Sequence, residues 1–97
     1  MATYVSIVNF TDQGIRVIRN TVERADSFRQ TAERMGVTVR DIYWTLGTYD
    51  LVMVVDAPDD ETVATLFFSL GSLGNIRAHT MRAFTAQDMA NIVGKIC

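Results

Sequence analysis

The stretch YWTLGTYDLVMVVDAPDD, residues 43–60, is where the fold is decided. Leu51, Val52, Met53, Val54 and Val55 form an uninterrupted apolar run rich in β-branched residues. A strand with one face in water alternates apolar and polar side chains, and this one does not, so both of its faces are apolar. Pro58 closes the run, because proline cannot donate to a strand ladder, and Asp59, Asp60 and Glu61 favour the positive N-terminal end of a helix. Upstream, VTVRDIYWTLG (37–47) reads as a second strand, and Gly47-Thr48 is expected to make a tight turn into the strand 49–57. The stretch is therefore a hairpin whose second strand needs cover on two sides.

Working outward, TYVSIVNF (3–10) reads as an opening strand, broken by TDQG (11–14), where Thr11 or Asp12 can cap the next helix. From Ile15 a stripe runs through Ile18, Val22, Ala25, Phe28, Ala32 and Met35 in steps of three or four, which is one face of a helix ending at Gly36. Asn20 with Glu23 resembles a capping box, so an interruption near Asn20 is expected. Beyond the hairpin, Val63, Leu66, Phe67 and Leu70 form the buried stripe of a helix that Gly71 and Gly74 end. NIRAHTMRAF (75–84) is a fourth strand, and Thr85 with Asp88 opens a short terminal helix carrying Met89, Ile92, Val93 and Ile96 on one face.

The order β-α-β-β-α-β plus a terminal helix is an α+β pattern, the ferredoxin-like split βαβ. It predicts one domain over 1–97, a four-stranded antiparallel sheet and both long helices on one side. The other side is open. Either the terminal helix folds under it, or a second copy packs sheet to sheet in a dimeric α/β-barrel assembly and encloses a cavity.

Composition excludes several classes. The net charge is −2, and the nine cations, eight Arg and Lys95, are mixed among acids without a basic block, so no nucleic-acid partner is expected. No apolar run approaches the roughly 20 residues that span a bilayer, and MATYVSIVNF lacks the cationic leader of a signal peptide. No membrane partner is expected. The single cysteine, Cys97, cannot form an internal disulfide, which fits a cytoplasmic protein. One His and one Cys supply no metal-ligand spacing, and no cofactor is expected.

The candidate site residues gather on the hairpin and the last strand. Tyr43 and Trp44 are adjacent on a strand and point to opposite faces, one into the helix-side core and one onto the open face. Tyr49 and Asp50 would sit at a cavity mouth, with Asp50 as acid, base or ligand, unless they only complete a turn. Arg77, His79 and Met81 share a face. Arg77 is expected to pair with Asp50 or Asp56, within or between subunits. In the catalytic reading His79 and Asp50 do the chemistry, with His79 as general base and Arg77 as anion anchor. Tyr43, Trp44, Tyr49, Arg77 and Met81 would then contact the ligand. The bland reading is a salt bridge, a surface histidine and interface aromatics.

At Gly47, Tyr49 and Asp50 the sequence resembles the GYD-domain family of small bacterial and archaeal proteins. YVSIVNFTDQGIR, ERADSFRQTAERMGV and GSLGNIRAHTMRAF extend the resemblance over nearly the whole chain, while Ala78 and His79 depart from the family's last strand. The resemblance implies a ferredoxin-like fold related to dimeric α/β-barrels, and a fold does not carry a reaction with it. The leading expectation is a homodimer or higher oligomer that binds a small apolar or amphipathic molecule at the sheet face. The alternatives are a cofactor-free, monooxygenase-like enzyme and a purely structural assembly module.

Overall fold

The computed structural model describes residues 1–97. The strands are β1 (Ala2–Phe10), β2 (Thr38–Trp44), β3 (Leu51–Ala57) and β4 (Ile76–Ala83), and the helices are α1 (Asp12–Arg16), α2 (Thr21–Arg34), α3 (Asp60–Ser72) and α4 (Ala86–Val93). They form one four-stranded antiparallel sheet in the order β2-β3-β1-β4. This is the ferredoxin-like arrangement the hairpin and its flanks predict.

Register sorts the side chains into two faces. On the helix side lie Tyr4, Ser6 and Val8 of β1 and Leu51, Met53 and Val55 of β3, all buried. They pack against Phe28 and Ala32 of α2 and Val63, Leu66 and Phe67 of α3, with the Phe28 and Phe67 rings 5.7 Å apart. Burying one such side chain contributes about 1.5–3 kcal/mol. Ser6 is the one buried polar residue of this core, and its hydroxyl is paired with that of Thr80 at 3.0 Å. The alternate residues Val52, Val54 and Asp56 of β3 are only half-buried. The apolar run is therefore two-faced, as its lack of alternation requires.

The helix stripe is kinked. α1 is one short segment, a 3-10 turn spans Ile18–Asn20, and α2 begins at Thr21. The interruption falls where Asn20 suggested, yet the Asn20 side chain caps nothing. Ile15, Ile18 and Val22 are exposed, and only Phe28 and Ala32 are buried in α2. Gly14 of α1 is buried against the loop before β4, where a Cβ would lie 2.0 Å from the Asn75 carbonyl oxygen. α3 runs through Gly71 to Ser72, and Gly74, at φ 84°, makes the turn that ends it. Asp59 caps α3 by accepting from the Thr62 N–H at 2.8 Å. Thr85 and Asp88 close the expected capping box on α4.

α4 buries no residue. Its apolar stripe of Met89, Ile92 and Val93 stays exposed, and with it Ile96. The terminal helix does not fold under the sheet, so the open face is uncovered in the single chain.

Candidate functional site

The open face reads row by row across the sheet. One row is Tyr43, Val52, Ile7 and His79. The next is Asp41, Val54, Val5 and Met81. Its centre is aliphatic, its β2 edge carries Asp41, and its β4 edge carries Arg77 and His79. Tyr43, Arg77, His79 and Met81 thus share this face and are all exposed. Tyr43 and His79 stand on opposite edges, three strand spacings or about 14 Å apart, too far to act on one atom within a chain.

Trp44 takes the other face. Its indole N–H donates to the Thr21 hydroxyl at 3.0 Å, tying the end of β2 to the start of α2. Tyr49 lies in the loop between the hairpin strands, half open to solvent. That loop is Thr45–Asp50, longer than the two-residue turn expected at Gly47-Thr48, with Leu46 fully exposed at its tip. The Thr45 hydroxyl donates to the Tyr49 carbonyl at 2.6 Å, and the Thr45 N–H donates to the Asp50 carbonyl at 2.8 Å. Gly47 supplies the left-handed residue, at φ 107°. The Asp50 carboxylate does not bond its own turn. It accepts from the Phe10 N–H at 2.8 Å and so pins the end of β1 to the hairpin.

The expected ion pairs of Arg77 do not form within the chain. Asp56 pairs with Arg40 at 3.6 Å and accepts from the Thr3 hydroxyl at 2.7 Å. Register explains the difference, because Asp56 lies beside Thr3 and Thr38 while Arg77 lies beside Asn9 at the far end of β1. No group of three or more His, Cys, Asp or Glu residues is placed to hold a metal ion.

Two clefts adjoin the helices, one on the helix side of the sheet and one that wraps the β4 edge. One, of about 400 Å3, opens between α2 and α3 over β1 and β3. Its floor includes Val8, Leu51 and Met53, its walls Phe28, Leu66 and Leu70, and its rim Arg24, Ser27 and Ser69. None of the candidate site residues on the hairpin and the last strand lines it, although core residues of the two helical stripes and of β3 do. The available signal was the small residues Ala25, Ser27 and Ser69 on facing helices, which leave the gap unfilled. The other, of about 570 Å3, runs between α3 and the β4 edge, past Phe68, Arg77 and His79. At its end Tyr4 donates to the Asp60 carboxylate, a bond that raises the Tyr4 phenol above its ordinary value of 10.0, helped by burial and by the charge of Asp60. The Arg82 guanidinium stacks on the Tyr4 and Phe84 rings at 5.6 and 4.7 Å.

No solved structure matches the chain significantly. A curated relative from Thermus thermophilus, described as a glutamine synthetase and cystathionine beta-lyase binding protein, is 36% identical over 90 residues. The match covers 92% of this chain and 95% of that protein. The family model of the GYD domain matches residues 4–93. With Gly47 shaping the hairpin loop and Asp50 fastening it to β1, the chain belongs to the GYD-domain family.

Proposed function

We propose that this chain is a protein-docking module that works as a homodimer, joined sheet to sheet, and binds metabolic enzymes without transforming a substrate of its own. The observation that carries the reading is the self-complementary open face. A two-fold axis parallel to the strands lays the β2 edge of one copy over the β4 edge of the other. Tyr43 then lies over the opposite His79 and Asp41 over the opposite Met81, one row from His79, and the aliphatic centre of Val5, Ile7, Val52 and Val54 meets itself.

Area brings α4 into the interface. Four strands about 4.8 Å apart and seven residues long present about 450 Å2 of flat face. A stable interface buries about 800 Å2 per partner. The shortfall is met by Phe84 and the unpartnered stripe of Met89, Ile92 and Val93, which follow directly from the β4 edge.

The enzyme partners are proposed from the Thermus relative, whose name says it binds glutamine synthetase and cystathionine beta-lyase. Phe68, 79% exposed on α3, and Leu46 lie outside the paired face and would remain available in the dimer. The test is size-exclusion chromatography with light scattering, with the chain alone and then with each of those two enzymes from the same cell. The reading expects twice the 10.8 kDa chain mass alone and co-elution with at least one enzyme. Separate elution from both enzymes would overturn the docking reading, and a monomer would overturn the dimer.

A further inference from the structure

The cleft between α2 and α3 lies on the far side of the sheet from the open face, so a second copy packed on that face leaves it free. We propose that it is a small-molecule site for an amphiphile with a single negative head group, an alkyl or aryl carboxylate of medium chain length.

Three features define the ligand. The first is size. The cleft's volume of about 400 Å3 lies toward the lower end of the roughly 300–1,000 Å3 of small-molecule sites, which suits a medium-length chain such as that of decanoate. The second is chemistry. The floor and walls are aliphatic and aromatic, and small-molecule sites combine such a lining with a few convergent polar groups. The third is charge. Arg24 is the only ionised side chain in the lining, no acid accompanies it, and it makes neither an ion pair nor a side-chain hydrogen bond. The Ser27 and Ser69 hydroxyls stand on the facing helix walls as neutral donors. A carboxylate at the rim would gain a guanidinium without meeting a repelling charge, while its tail buries apolar surface against Phe28, Leu66 and Leu70.

The site carries its own reporter. Trp44 is the only tryptophan, and its indole N–H is bonded to Thr21, whose side chain borders the cleft. Filling the cleft therefore perturbs the indole environment.

The experiment is titration of the full chain with decanoate, below its micelle-forming concentration, followed by calorimetry and Trp44 fluorescence. Decyltrimethylammonium serves as the charge-reversed comparator. The expected result is saturable binding of decanoate at one site per chain, with the cationic comparator weaker by about tenfold or more. Arg24→Glu is expected to weaken decanoate about tenfold and to remove the bias against the cation. Leu70→Trp is expected to abolish binding of both by filling the cleft, with Ser69→Phe as the second blocking variant should Leu70→Trp fail the circular-dichroism check of folding. Absence of binding would overturn the proposal, as would decanoate binding unchanged in the blocking variant. Loss in the blocking variant with no response to Arg24→Glu would overturn the anionic head group.

Discussion

The two faces of the sheet are made from the same strands and meet opposite fates. On β3, Met53 and Val55 are buried under α2 and α3, while Val52 and Val54, which alternate with them, remain half open. Local sequence does not distinguish these positions, since all four are aliphatic or thioether side chains on one strand. Only the chain's own helices separate them. A residue type that secures the fold on one face is left on the other as unspent association energy.

The largest effect that sharpens this contrast is a matched pair of substitutions. Met53→Asp places a charge in the helix-side core and is expected to cost at least about 4 kcal/mol, enough to unfold a domain of this size. Val54, one residue on, is half-buried and opposite Asp41, and Val54→Asp is expected to cost about 1–2 kcal/mol in the isolated chain, well under the core change, while blocking self-association. Urea unfolding at low protein concentration separates the two. Equal losses of stability would break the distinction between the faces.

Next in size is the hairpin loop that gives the family its name. Gly47→Ala forces a side chain onto a residue at φ 107°, although the space around it is empty, so the penalty is backbone strain of about 1–2 kcal/mol. Thermal unfolding measures it. No loss of stability would mean that the loop tolerates another conformation and that Gly47 does not shape it.

A smaller effect comes from pH. The hydrogen bond to Asp60 holds the Tyr4 phenol in its protonated form, so its folded value lies above 10.0. Its contribution is complete below the unfolded value and is lost as the pH rises through the folded one. At the acid end the signs reverse. Asp59 and Asp88 are lowered below 3.8, Asp59 first by the Thr62 hydroxyl and Asp88 first by the Thr85 N–H. Their contributions are present above that value and fade as the pH falls through the depressed ones. Tyr4→Phe is expected to flatten the alkaline limb of a stability-against-pH curve and leave the acid limb unchanged.

The smallest expected effect is that of His79→Ala. The imidazole is exposed and makes no hydrogen bond or ion pair within the chain, so stability and enzyme docking should be unchanged. The one geometry in which His79 approaches Tyr43 is across the proposed two-fold. Docking abolished by this single change, with dimerisation intact, would return weight to a chemical role for His79.

Much of the architecture was legible because it rests on local periodicity. The non-alternating run at 51–55 announced a two-faced strand, and the Thr85–Asp88 spacing announced the capping box on α4. What escaped depends on long-range register. Tyr43 and Trp44 were bound to diverge, but which faces the helices follows from pairing Trp44 with Leu51. Asp56 and Arg77 looked like partners until register placed them beside Thr3 and Asn9, about 20 Å apart along β1. The 3-10 turn at residues 18–20 breaks the helix between Ile15 and Val22, and both are exposed although their spacing is helical. The cleft between α2 and α3 is set by how far apart two helices stand, which no single segment encodes.

The central claim is that the open face exists to be covered by a second copy. Native mass spectrometry of the wild-type chain beside Val54→Asp tests it most directly. The account predicts a dimer for the wild type and a folded monomer for the variant. A wild-type chain that remains monomeric at every concentration, or a variant that dimerises as well as the wild type, would contradict it.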